Sequence, residues 1–386
     1  MDLLTMNRND FSVKELVEGY RSLIWTERFQ PYGDFELHTE DIDYTRELLP
    51  ERSLCTLLDS NEVMMVDTHE IQENADGVPQ LTIKGRTIDA FLMNRVWKNA
   101  PYGKSVKMQT KYTIKQACAA LVWTAVVNDT GDDVLRVTST YPAGNSIPHV
   151  ICTVSMPAGT DDGAVKARKI ENGIIYDQLM TFLASGKLGI RIIRPNGTNG
   201  RKVNFGSGGA FSTTAETNIT NCRFDIYKGR DLTDSVVFSW KAGHLDNPKY
   251  LFSSENLKTG AYVVGDPRNH YYTDPDELPG TNTGWNRRDT FVDGGTKETA
   301  EDADDFEEGL EDKGLRAVRK EGSRIRTVDA QISPFINFKY NVDYRLGDRV
   351  KVQGRYGSSN EYVTEFIRTQ DENGEVGYPT LSSRLS

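Results

Sequence analysis

The pattern of apolar and polar positions changes three times along the chain. Over residues 1–85 it alternates with period two, as half-buried strands do. The stretch "SLIWTERFQPYGDFELH" at 22–38 shows it best. Leu23, Trp25, Glu27 and Phe29 fall on one face, with Ile24, Thr26 and Arg28 on the other. After the turn Gln30–Asp34, Phe35 and Leu37 oppose Glu36 and His38. This predicts a β-hairpin whose Leu23 face is the core face. Glu27 on that face is anomalous and calls for an ion pair or a ring contact. Strands are also expected at 54–58 and 63–68, around the turn 59–62, and at 80–84.

Beyond Gly85 the period lengthens. Ile88, Phe91, Leu92 and Val96 share one helical face, and Ile114, Ala117, Cys118, Leu121 and Ala125 form a second stripe over 113–127. A third helix is expected over 171–185, with Gly186 as its C-cap. Strand 189–194 follows. Residues 196–220, rich in Gly, Ser, Thr and Asn, read as a long loop or mobile hairpin. Strands are expected at 223–227 and 236–240, around the turn 228–231. Residues 265–297, with three prolines, read as an extended loop.

An amphipathic helix is expected over 299–321. Acids crowd its first half and bases its second, complementing the helix dipole. Thr299 and Asp302 have the spacing of a capping box, Ala303, Phe306, Leu310 and Ala317 line one face, and Gly314 is the weak point. Strands at 335–340, 344–352 and 362–367 end the chain. The fold class that results is β-rich α+β, with β regions at both ends that suggest a duplicated barrel. The expected domains are 1–97, a first β-barrel; 98–222, an inserted α+β domain; 223–264 with 322–386, a second β-barrel; and 265–321, an inserted loop and acidic helix.

Composition narrows the function. The 386 residues carry a net charge of −10, which leaves no basic surplus to displace counterions from nucleic-acid phosphates. Cys55, Cys118, Cys152 and Cys222 form no CxxC pair, so they read as buried thiols. His149 beside Cys152 lacks further zinc ligands. No run approaches the roughly 18 apolar residues of a membrane helix, so no stable membrane insertion is expected. The expected compartment is therefore a cytoplasm, where the sequons at Asn128, Asn196 and Asn218 are silent.

Chemistry-bearing motifs fail in turn. Gly206–Gly209 lacks the Lys-Ser/Thr of a phosphate loop. The acids at 301–312 miss the calcium-loop pattern at Phe306 and Glu307. His38, His69, His149, His244 and His270 form no metalloprotease spacing, and no GxSxG elbow occurs. No residue is therefore assigned a catalytic, cofactor-binding or metal-binding role, no cofactor is expected, and the chain reads as a non-enzyme.

Four blocks together resemble one family: "SLIWTERFQPYGDFELH", "LTIKGRTIDAFLMNRV" at 81–96, "FDIYKGRDLTDSVVFS" at 224–239 and "YRLGDRVKV" at 344–352. The chain resembles the tail-hub or minor tail proteins of siphophages of the actinobacterial type, which are similar in fold to the baseplate hub of contractile-tailed phages. GRDLT and YxLGD are the more specific parts, and segments 196–220 and 265–321 match nothing assignable in the pattern. The resemblance implies two barrel-like tube domains per chain, with inserted α+β domains. It implies a homotrimer whose six barrels form a pseudo-hexameric ring at the tail tip of the virion. The implied partners are a distal tail protein, a tape-measure protein and tail fibres or receptor-binding proteins, with DNA passing through the channel without specific binding. Synthesis would be in the host bacterial cytoplasm. Two other roles are open: a receptor- or carbohydrate-binding tail protein, given 17 Tyr, and a tail-associated cell-wall hydrolase. For the last, the chain offers little room beyond the YxLGD strand and its partner.

Overall fold

The hairpin at 22–38 forms as its alternation requires. In the computed structural model, strands Ser22–Arg28 and Asp34–Thr39 pair antiparallel, with Trp25 opposite Phe35. Leu23, Trp25, Phe29, Phe35 and Leu37 are buried and Ile24 points to solvent, but Thr26, expected on the outer face with Ile24, is buried as well. The Trp25 and Phe35 rings stack, with centroids 5.9 Å apart. The structure describes residues 1–97, 105–108, 111–128, 146–155, 165, 168–206, 209–273, 282–297, 303–318, 325–332, 338–355 and 357–382. The expected Thr299–Asp302 cap and strand residues 335–337 lie outside them.

In chain order the first strands are β1 (Leu3–Met6), β2 (Val13–Val17), β3 (Ser22–Arg28) and β4 (Asp34–Thr39). Helix α1 (Ile42–Leu48) leads to β5 (Leu54–Leu57), β6 (Met64–Glu73) and β7 (Pro79–Thr87). Their core gathers Leu3, Leu23, Trp25, Leu37, Leu57 and Ile83. The helix expected after Gly85 is instead a 3-10 turn, Ile88–Asn94. Its tighter winding buries Ile88, Ala90 and Leu92, and leaves Val96 exposed on the short strand that follows.

The middle section contains β8 (Val96–Trp97), β9 (Ser105–Lys107), α2 (Ile114–Val126), β10 (Val150–Ser155), β11 (Lys169–Glu171), β12 (Gly173–Ile174), α3 (Ile175–Gly186), β13 (Gly189–Ile193), β14 (Gly200–Phe205), β15 (Phe211–Glu216) and β16 (Cys222–Tyr227). Five strands form one sheet in the order β13-β16-β10-β14-β15, with β10 and β16 parallel. Helix α2 starts at a Thr113–Gln116 capping box. Its buried face extends beyond the expected stripe, because Ala119, Ala120 and Val122 are also buried between sheet and α3. Helix α3 ends differently from expectation. Lys187, not Gly186, takes the left-handed φ of 51°. Gly186 is needed for closeness, since a Cβ there would lie 2.7 Å from Ile114 Cγ2. Among the described residues of 196–220, β14 and β15 pair antiparallel as a hairpin, one of the two expected readings.

Strands β17 (Val237–Ser239) and β18 (Leu245–Ser253) follow. The chain divides into two compact units: Met1–Asn247 with Ala330–Leu381, and Pro248–Asp329. The second holds β19 (Gly260–Asp266), β20 (Asn269–Tyr272), β21 (Asp289–Thr296) and α4 (Ala303–Arg316), then the start of β22 (Ile325–Ile332). The expected loop at 265–297 thus contains strands. The sheet order is β20-β19-β21, and α4 covers one face with Phe306 and Leu310 against Ala261 and Val263. Of the expected helix stripe Phe306, Leu310 and Ala317 are buried, and Ala303 is exposed.

The chain ends with β23 (Arg349–Gly354), β24 (Gly357–Asp371) and β25 (Gly374–Ser382). The long β24 does two jobs: its first part pairs with β23 and its second with β3, from Glu365↔Arg28 to Gln370↔Leu23. The first unit's path runs β25-β24-β3-β4-β7-β6-β5-β1-β2. Among the described residues this path is open. The two β regions of the sequence are joined edge to edge through β24 and β3, in place of two closed barrels. Strand β3 therefore has both edges occupied, so the opening hairpin cannot pair its backbone with another copy. Nor do the strands flanking turn 228–231 form a hairpin: β16 lies in the five-stranded sheet, and β17 pairs parallel with β23.

The second unit provides a test of sign. Gly314 was expected to weaken α4, and helix propensity alone favours Gly→Ala by about 1 kcal/mol. A Cβ at 314 would meet the Tyr272 ring, with Cγ only 2.9 Å away, and Val263 Cγ2 at 3.0 Å. Gly314→Ala is expected to lower, not raise, the thermal unfolding midpoint; a rise would show that α4 is seated more loosely.

Candidate functional site

The two most specific blocks meet at a buried carboxylate. Asp348, in the turn before β23, is fully buried. Arg230 of the GRDLT block donates to it from Nη2 (Oδ2, 2.6 Å), Nε (Oδ2, 3.1 Å) and its own backbone N–H (Oδ1, 2.7 Å). The Arg345 N–H adds a fourth donor at 3.0 Å. Backbone bonds Arg349 N to Arg230 O and Leu232 N to Arg349 O, both 2.8 Å, zip the two segments together. Such an approach requires bare backbone. A Cβ on Gly229 would collide with the Gly347 carbonyl, and Gly347 itself has φ +80°.

The first block enters at the same place. The buried Phe29 ring lies where a Gly347 Cβ would project, and it meets Tyr227 edge-on at 5.3 Å. Gly189, opening β13, is likewise bare against Phe29. Ile190 donates to Phe29 O at 3.2 Å, and Gln30 Nε2 to Leu188 O at 2.8 Å. The second block locks the far end of the hairpin. Phe35 sits over Gly85, its register partner, and Gly33 donates to Thr87 Oγ1 at 2.8 Å.

Behind Phe29 lies the anomaly of the sequence, Glu27. It is buried and accepts from Trp25 Nε1 (3.2 Å), Ser60 Oγ (2.6 Å) and Tyr340 OH (2.7 Å). Three hydrogen bonds thus take the place of a direct ion pair, with the charge of Arg368 acting at longer range. Glu27, Glu62, Arg191, Tyr227, Tyr340 and Arg345 line a cavity of about 40 Å³. Burial, with Glu27 and Asp89 nearby, raises the Glu62 carboxyl well above its ordinary range. Burial also pushes Asp89 up to about 7, against the hydroxyl of Thr87. On the adjoining sheet Asp225 accepts from Arg191 (Nη2, 2.7 Å), Thr153 and Ser155, and Arg191 caps the Tyr227 ring at 4.5 Å.

Glu27, Asp225 and Asp348 each accept from several structural donors, which suits them to holding segments together. All four cysteines are buried, and that burial raises their thiols away from the reactive thiolate. His38 contacts Glu36 and Thr82, His69 the Leu49 carbonyl, and His244 the Val237 carbonyl. His149 and Cys152 both belong to the β10 segment, and Cys152 Sγ faces the Ala119 carbonyl. Among the described residues no three His, Cys, Asp or Glu converge as metal ligands. The sequence named no site residue. The signal for this cluster was the glycines inside otherwise strand-like blocks, which mark close backbone approach.

Removing one partner of a buried ion pair leaves the other charge unmatched. Asp348→Asn is expected to cost on the order of 3 kcal/mol in urea unfolding, and a loss within experimental error would mean the two blocks are not locked by this pair. The acids give a second expectation. Because Asp89 and Glu62 have raised values in the fold, the folded chain holds protons that the unfolded chain has released. Their stabilisation is complete below the ordinary carboxylate range and is lost as pH rises, for Asp89 from 3.8 through about 7. The unfolding midpoint should therefore fall across this window, and Glu62→Gln with Asp89→Asn should flatten the slope. An unchanged slope in the double variant would contradict the assignment.

The fold has solved relatives. The tail protein of Neisseria meningitidis MC58 superposes with a TM-score of 0.55 at 12% identity, covering 99% of this chain and 97% of that one. The 43 kDa tail protein of prophage MuSo2 from Shewanella oneidensis gives 0.57 at 12% identity, with 99% and 98% covered. Prophage tail protein gp18 of Listeria monocytogenes EGD-e gives 0.53 at 11%, with 100% and 95% covered. At such identities the likeness is one of fold. No curated protein sequence matches the chain. A family model does, across residues 5–380, which contain all four blocks, and the siphophage resemblance is borne out: the chain belongs to the Siphovirus ReqiPepy6 Gp37-like protein family.

Proposed function

We propose that the chain is a structural protein of a siphovirus tail, placed at the tail tip. In this reading it forms a homotrimer in which each chain supplies its two β regions, joined through β24 and β3, to a pseudo-hexameric ring ending the tail tube. A distal tail protein and a tape-measure protein adjoin the ring, and fibres or receptor-binding proteins attach to it. The observation that carries the reading is the whole-chain likeness to tail proteins, nearly end to end in both partners of each comparison. Two features agree with it. The most specific blocks serve packing within the chain, and the net charge of −10 disfavours adhesion of passing DNA. No residue performs chemistry in this role. The work is association of surfaces, which closed symmetry completes.

Light scattering or native mass spectrometry of the purified chain tests the ring. A trimer, or a monomer that becomes trimeric on addition of tail tubes, is expected. A stable dimer would contradict the proposal, and clearing of host cell walls by the pure chain would overturn the non-enzymatic part.

A further inference from the structure

We infer that the second unit carries a saccharide-binding face, on the side of its three-stranded sheet that α4 leaves uncovered. Alternation along β19 turns Ala261 and Val263 toward α4, and Gly260, Tyr262 and Val264 the other way. The register sets Tyr262 beside Tyr271 of β20 and beside Phe291 of β21, so the three positions stand in one row on one face, with the Tyr271 ring leaning over Gly260. Tyr262 is 44% exposed and Phe291 70%. Trp285, on the turn that enters β21, is 99% exposed. A cluster of exposed rings on one surface is characteristic of a contact site.

One end of the row is polar and fixed. The Tyr271 hydroxyl donates to Asp289 Oδ1 (2.8 Å) and accepts from Asn282 Nδ2 (2.7 Å). The Arg287 guanidinium lies 5.2 Å from the Tyr271 ring centroid and pairs with Asp289 at 2.9 Å. The Tyr271 ring occupies the space a Cβ on Gly260 would need, so glycine lets it lie against the strand. Asp289 and Asp293 flank Phe291 on the same face by alternation. The result is an open aromatic floor of Tyr262 and Phe291, bordered by preset donors and acceptors.

This combination suits a pyranose, which has an apolar C–H face and a rim of hydroxyls. Strands stand about 4.8 Å apart, so the floor of Tyr262 and Phe291 is about as wide as one sugar ring. A protein partner fits less well. The apolar floor of this face is narrow and its rim of hydroxyl, amide and carboxylate groups is preset, where the centre of a specific protein interface is depleted of charge. Phosphate-bearing partners, whether nucleic acid or anionic membrane, find no basic surplus here, since Arg287 is paired with Asp289 and Asp293 stands beside Phe291. The inference stands on this face alone and does not depend on the place of the chain in a particle.

The test is titration of the full chain with chitotriose, cellotriose and maltotriose, and an array of bacterial polysaccharide repeats, followed by calorimetry or NMR. Tyr262→Ala and Phe291→Ala remove exposed rings, so both should keep the parent unfolding midpoint. At least one oligosaccharide is expected to bind, about tenfold more weakly to either variant. Three results would overturn the inference: no binding by any of these probes at millimolar concentration, binding that both variants retain in full, or self-association abolished by Tyr262→Ala without any sugar binding, which would assign the face to a second copy.

Discussion

A carboxylate with no solvent contact must be matched by donors, and in this chain Asp348 is matched by Arg230, 118 residues earlier. Much of the first unit is arranged around that demand. Its donors come from the GRDLT segment and the turn preceding β23. Bringing two backbones that close requires glycine on both sides, at 229 and 347. The space beyond Gly347 is filled by Phe29, and Phe29 fixes the distance of β13 and of Tyr227. One charge pair thus sets where the opening hairpin, the five-stranded sheet and the C-terminal strands meet.

Whatever was local in the sequence was legible. Period-two alternation found the core face of the 22–38 hairpin, and the apolar stripe located α2. What depends on distant partners was not. The strands inside 265–297 mix polar residues and glycines with their apolar positions and are separated by prolines, so their pattern does not stand apart from a loop. Ile88–Asn94 has helical spacing, but the chain re-enters a strand after two turns, which favours the tighter 3-10 winding. Gly186 was read as a cap from its position, when its reason is the side chain of Ile114. The open path through β24 and β3 could not be read at all, because sequence periodicity carries no information about which strand lies beside which.

The anomaly at Glu27 was legible as an anomaly only. An acid on a core face requires partners, and periodicity offers no means to choose among them. Trp25 is two residues away, but Ser60 and Tyr340 arrive by tertiary packing. The same holds for the candidate site as a whole: the glycines signalled close approach, and only the fold supplies what approaches. The two units also differ in character. The four family blocks lie in the first, where they are used for packing. Segment 265–321, in which the sequence showed no recognisable block, lies in the second, and it contributes Tyr271, Phe291 and Trp285 to the exposed aromatic face.

The central claim is that the family blocks hold the protomer together and leave its outer surfaces to assembly. Cryo-electron microscopy of an intact tail containing this chain tests it most directly. The account predicts threefold density at the tail tip, with the Arg230–Asp348 pair and the Phe29 contact inside each protomer. Density placing these residues at a boundary between subunits, or absence of the chain from the tail, would contradict it.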